Sequence, residues 1–65
     1  MENNFRVLLA KRRKKVSDVH EATGISKSTL IGLYYERTKN PETETLLKVA
    51  NYLGVTIDEL LTPEE

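Results

Sequence analysis

The chain has 65 residues, 38% of them hydrophobic and 31% charged, with three glycines and two prolines, which is the composition of one small globular domain and not of a disordered or fibrous chain. It has no cysteine, excluding disulfides and thiolate metal sites, and its longest apolar run, Val7-Leu8-Leu9-Ala10, falls far short of the ~20 residues that span a bilayer. The formal net charge of zero hides a division: residues 1–40 hold nine of the ten Lys/Arg against four acids, a net of +5, while residues 41–65 hold Lys48 against six acids, a net of −5.

Asn3 or Asn4 can cap a first helix in which Phe5, Leu8 and Leu9 recur at helical spacing, with Arg12 one turn further on. That helix runs into the basic string Lys11-Arg12-Arg13-Lys14-Lys15. Ser17 is expected to cap a short second helix ending near Thr23, with Val19 and Ala22 inward and Gly24 as its stop. Ser26 caps a third helix over residues 27–35, braced by a hydrophobic staple between Ile25 and Leu30. After Pro41, a fourth helix over residues 43–53 carries Leu46, Val49, Ala50 and Leu53 on one face and stops at Gly54. Thr56-Ile57-Asp58-Glu59 is a capping box, Val55 and Leu60 form a second staple, and Pro63 ends the fifth helix. No stretch alternates with period two. The reading is an all-α fold of five short helices: a single domain over residues 1–61, followed by a short acidic tail at 62–65.

Two short helices joined by a tight glycine-containing turn make a helix-turn-helix over about residues 17–35. At about 100° per residue, Ser26, Leu30, Leu33 and Tyr34 fall on one side of the third helix, the side expected to face the core. Ser28, Ile31, Gly32 and Tyr35 fall opposite, flanked by Lys27. That second face could enter a major groove, and the basic half of the chain suits a polyanionic partner.

The segments Gly24-Ile25-Ser26-Lys27-Ser28-Thr29-Leu30 and Asn40-Pro41-Glu42-Thr43-Glu44-Thr45-Leu46-Leu47, continuing to Leu60, resemble the phage Cro and lambda-repressor type of helix-turn-helix domain, also called the xenobiotic-response-element type. The resemblance covers residues 5–61. It implies a compact five-helix lambda-repressor-like domain whose third helix reads bases. It aligns Lys27, Ser28 and Gly32 with base-reading positions, with Ile31 beside them. Lys15 and Val16 align with the start of the phosphate-gripping second helix, and Arg37, Lys39 and Asn40 with the following loop that touches the DNA backbone. Three positions depart from the family pattern: Val16 in place of a Gln, His20 in place of a small Ala, and Asp18 with a negative charge in the first turn of the second helix. Residues 29–37 are also faintly similar to the mercury-resistance-regulator family, but that family has no counterpart of the helix preceding the motif or of the Leu46–Leu60 segment.

Several residues have two readings. The run at 11–15 is either solvated charge at a helix C-terminus or a phosphate clamp of which about half engages, with Arg13, Lys14 and Lys15 the expected contacts. Ser17 and Ser26, at the two helix starts, join the expected backbone contacts. Gly32 marks either a close approach by another surface or a neutral choice, since nothing on an exposed face calls for a glycine. Tyr35 either touches a phosphate or is ordinarily exposed. His20 is structural, at the junction of the second and third helices. Ile57, Leu60 and Leu61 are the expected dimer interface if some of them stay exposed.

The expected function is sequence-specific binding of double-stranded DNA by a small transcriptional regulator, a repressor acting as a homodimer on a two-fold operator. A protein-interaction module, such as an antitoxin or immunity component with secondary DNA binding, is the alternative. No nucleophile–base pair, carboxylate pair or phosphate-cradling loop can be assembled, so no enzyme, catalytic residue, metal or cofactor is expected. No small-molecule effector site or membrane association is evident either. The start Met1-Glu2-Asn3-Asn4 lacks the basic and apolar regions of a signal peptide, and the expected location is cytoplasmic, on DNA.

Overall fold

The computed structural model describes residues 2–62. Among them the chain forms α1 (Phe5–Arg12), α2 (Val16–Thr23), α3 (Lys27–Tyr34), α4 (Thr43–Leu53) and α5 (Ile57–Leu61), with no strand. Of the acidic tail expected at 62–65, residues 63–65 lie outside the described ones, and Pro63 with them. No helix among the described residues is long and apolar enough to cross a membrane.

All five helices feed one core. Phe5 and Leu9 of α1, Val19 of α2, Leu30 of α3, Val49 of α4 and Leu60 of α5 are its fully buried side chains. Each such burial contributes about 1.5–3 kcal/mol before the cost of ordering the chain. The second helix packs against α3 and α4, while α1 packs against α3 and α5. Ala22, expected inward, is exposed: α2 turns only Val19 fully into the core.

Three helix starts follow their side chains. The Ser26 hydroxyl accepts from the Thr29 N–H at 3.2 Å. The Thr56 hydroxyl accepts from the Glu59 N–H at 3.1 Å, and the Glu59 carboxylate accepts from the Thr56 N–H at 3.3 Å. At α1 the acceptor is Asn3, whose Oδ1 takes the Phe5 N–H at 2.8 Å, while Asn4, at the cap position itself, makes no side-chain cap. The expected start of α2 is corrected. Ser17 is the second residue inside the helix, and Lys15 stands at the cap. The Asp18 carboxylate accepts the Lys15 N–H at 2.8 Å; this charge-assisted bond, with the acid also favoured by the helix dipole, closes the first turn over Lys15 and starts the helix ahead of Ser17.

The residues before α1 tie the two ends of the fold together. Asn3 is buried and its Nδ2 donates to the Leu33 carbonyl at the end of α3, at 2.9 Å. The Asn4 N–H donates to the Leu60 carbonyl at 2.7 Å. Arg12 is a second tie: its Nε donates to the Leu53 carbonyl at 2.9 Å, placing a cation on the orphan carbonyls that end α4. One member of the basic run therefore serves the fold.

Candidate nucleic-acid interface

The turn between α2 and α3 is pinned from several directions. Gly24 stands at φ 76°, in the left-handed region that a glycine enters without cost. His20 Nδ1 lies 2.6 Å from the Ile25 carbonyl oxygen; a carbonyl only accepts, so that nitrogen carries the proton. The Thr23 hydroxyl donates to the Val19 carbonyl at 2.7 Å and accepts from the Ile25 N–H at 3.3 Å. With Val19, Ile25 and Leu30 buried beneath them, these bonds fix α3 against α2. The bulk of His20, in place of a smaller residue, serves this turn.

The fixed third helix turns Leu30 and Leu33 inward and leaves Lys27, Ser28 and Ile31 exposed, with Tyr35 exposed just past its end. Ser26, placed on the core side by the helical wheel, is exposed as well, because a cap residue lies outside the helix. Phe5 and Tyr34 meet edge to face at 6.3 Å, Tyr34 and Tyr35 at 4.9 Å, and the Arg37 guanidinium lies 5.4 Å from the centre of the Tyr35 ring. A line of contacts thus runs from the core through Tyr34 and Tyr35 to a surface cation.

Beside α3 lies a groove lined by Arg6, Leu9 and Ala10 of α1, by Lys14 and Lys15 of the link, by Val16, and by Ile31, Tyr34 and Tyr35. It brings Lys14 and Lys15 to the outer face of α3. Arg6 was not among the expected contacts. It lies off the Phe5–Leu8–Leu9 stripe, which marks it as exposed, but only the packing of α1 on α3 shows that it shares this groove.

Three helices end in the same hydrogen-bonded stop, in which the chain closes back on the last turn. Lys14 N–H donates to the Leu9 carbonyl after α1, Arg37 N–H to Gly32 after α3, and Val55 N–H to Ala50 after α4. The left-handed residue in the third stop is Gly54, but in the first two it is Arg13 at φ 55° and Glu36 at φ 59°. A side chain costs about 1–2 kcal/mol in that conformation. Both strained positions border the basic groove or the loop beside it.

The remaining expected contacts are dispersed. Ser26 is exposed and its hydroxyl is also 2.8 Å from the Thr29 hydroxyl. Ser17 is half-buried in the first turn of α2, and Lys39 is exposed. Asn40 lines a different groove, with Thr38, Glu42 and Glu44, between the α3–α4 loop and the start of α4. Two expectations need correction. Gly32 does not stand on open surface: a Cβ there would lie 2.8 Å from Thr38 Oγ1, so any larger residue would force the loop after α3 to shift. Leu60 is fully buried and cannot lie in a dimer interface, because α5 turns it beneath α1 and α4; Ile57 and Leu61 are half-buried against the core.

A helix-turn-helix that projects an exposed third helix beside a cationic groove defines a DNA-binding domain. The family model for the Cro/C1-type HTH DNA-binding domain matches residues 4–65, nearly the whole chain. The chain belongs to that family, one of DNA-binding regulators and not of enzymes. Neither the curated proteins nor the solved structures give a match.

Proposed function

We infer that the protein is a sequence-specific repressor that binds duplex DNA as a two-fold dimer and acts by occluding polymerase. The observation that carries this reading is the common groove of Arg6, Lys14 and Lys15 with Ile31 and Tyr35, which sets phosphate-binding cations alongside the exposed face of α3. In this reading Lys27, Ser28 and Ile31 face the bases: Lys27 donates to guanine O6 and N7, Ile31 meets a thymine methyl, and Ser28 serves either edge. Arg13, Lys14, Lys15, Arg37 and Lys39 neutralise phosphates, with Ser17, Ser26, Tyr35 and Asn40 as polar contacts and Arg6 added to the set. The dimer seam falls on Ile57 and Leu61, on the acidic half of the chain, leaving the basic groove to DNA.

The test is fluorescence anisotropy of labelled duplexes, the promoter upstream of its own gene against a scrambled sequence, at two salt concentrations. Promoter binding tighter by ~10³ or more, falling steeply with salt, is the expected result. Equal and salt-insensitive binding to both duplexes would overturn the reading.

Arg13 supplies a sharper check. Arg13→Gly removes the left-handed strain but adds glycine's own entropy cost, so it is expected to stabilise the fold by about 0.5–1 kcal/mol in a urea titration. The same substitution is expected to weaken every duplex alike. Greater stability without weaker binding would show that Arg13 touches no phosphate.

A further inference from the structure

The segment after α3 folds back onto the helix it has just left. Arg37 N–H donates to the Gly32 carbonyl at 2.8 Å and Glu36 N–H to the Leu33 carbonyl at 3.2 Å. Thr38 then comes down on the bare Cα of Gly32, with its Oγ1 2.8 Å from where a Cβ would stand. Real Cβ atoms essentially never come that close. Two of the three staggered positions on a threonine Cβ hold heavy atoms, so rotating the side chain away is restricted, and a Cβ at residue 32 would push the loop outward. Between these two anchor points, Arg37 projects its guanidinium over the Tyr35 ring.

We propose that Gly32 is a positioning residue for DNA-backbone recognition: its missing side chain seats Thr38, and the seated loop sets Arg37 against Tyr35 at the height of a phosphate. The inference rests on the DNA-binding reading above and reassigns one of its residues. Base reading then belongs to the first turn of α3 and Ile31, because Thr38 covers the next position. It also accounts for a glycine inside a helix, where it costs ~0.8–1 kcal/mol relative to alanine.

The experiment compares Gly32→Ala, Thr38→Ala and the double variant in the full chain, by amide NMR of the free protein and by anisotropy on cognate and scrambled duplexes. Gly32→Ala keeps the fold, alanine being the better helix former. It is expected to shift the amide resonances of residues 37–40, to weaken both duplexes by the same several-fold factor, and to lower the salt slope by roughly one, the share of a single phosphate contact. In the double variant the resonances, affinity and slope return to those of Thr38→Ala alone. A loss confined to the cognate duplex and indifferent to Thr38→Ala would overturn the proposal and make Gly32 part of the base-reading face. Unmoved loop resonances in Gly32→Ala would overturn it as well. If the wild-type chain shows no salt-dependent binding, the DNA reading fails and the role assigned to Gly32 fails with it, while the NMR comparison still separates that failure from an error about the loop.

Discussion

Leu60→Ala is expected to lower the unfolding free energy by about 2–5 kcal/mol, the range for a leucine truncated inside a close-packed core. Leu60 is fully buried and packs in a cluster fed by every helix. A chain of 65 residues has a total stability on the order of 3–10 kcal/mol at ~0.05–0.15 kcal/mol per residue, so the variant loses a large part of it. Urea denaturation followed by circular dichroism reads the loss directly. An interface residue would behave otherwise, leaving the monomer's midpoint in place and raising the dissociation constant seen by sedimentation. Ile57→Ala and Leu61→Ala, whose side chains are half-buried against the core, are expected to combine a smaller loss of stability than Leu60→Ala with that weaker association. If Leu60→Ala kept the midpoint and abolished association, the assignment of Leu60 to the core would be wrong.

Lys27→Ala is expected to cost ~1–3 kcal/mol at the cognate site and much less on random DNA, relaxing specificity at one base pair. Lys27 is the first residue of α3 and is exposed. A cation there opposes the helix dipole by ~0.3–1 kcal/mol, so the fold gains nothing from the charge. Thermal stability should therefore hold steady or rise slightly while operator affinity falls. Equal losses on cognate and random duplexes would place Lys27 on a phosphate instead of a base.

Much of the fold is legible in the sequence because the signals are local. Ser26, Gly24, Gly54 and the Thr56–Glu59 box act on backbone groups within four residues of themselves, and the structure puts each helix boundary near them. Ser17 misleads because its neighbour Asp18 binds back to the Lys15 N–H and starts the helix before the serine is reached. The outer face of α3 follows from helical geometry alone. What the sequence does not disclose is long-range: that Asn3 reaches Leu33, that Arg12 reaches Leu53, and that Arg6 joins the groove of Lys14 and Lys15. Gly32 is the clearest case. An exposed helical position argues against any demand from the fold, and the demand comes from a threonine six residues on whose path no periodicity describes.

The bond from the Asn4 N–H to the Leu60 carbonyl makes the leading end of α1 depend on a residue far along the chain. A contact of that separation costs loop-closure entropy, which is repaid only when the core collapses around it. A chain cut before residue 60 lacks both that carbonyl and the leucine that closes the core beneath α1, and helices as short as α2 and α3 do not hold their shape in water without such packing. Truncation ahead of α5 is therefore expected to cost the exposed face of α3 its fixed geometry along with the rest of the domain.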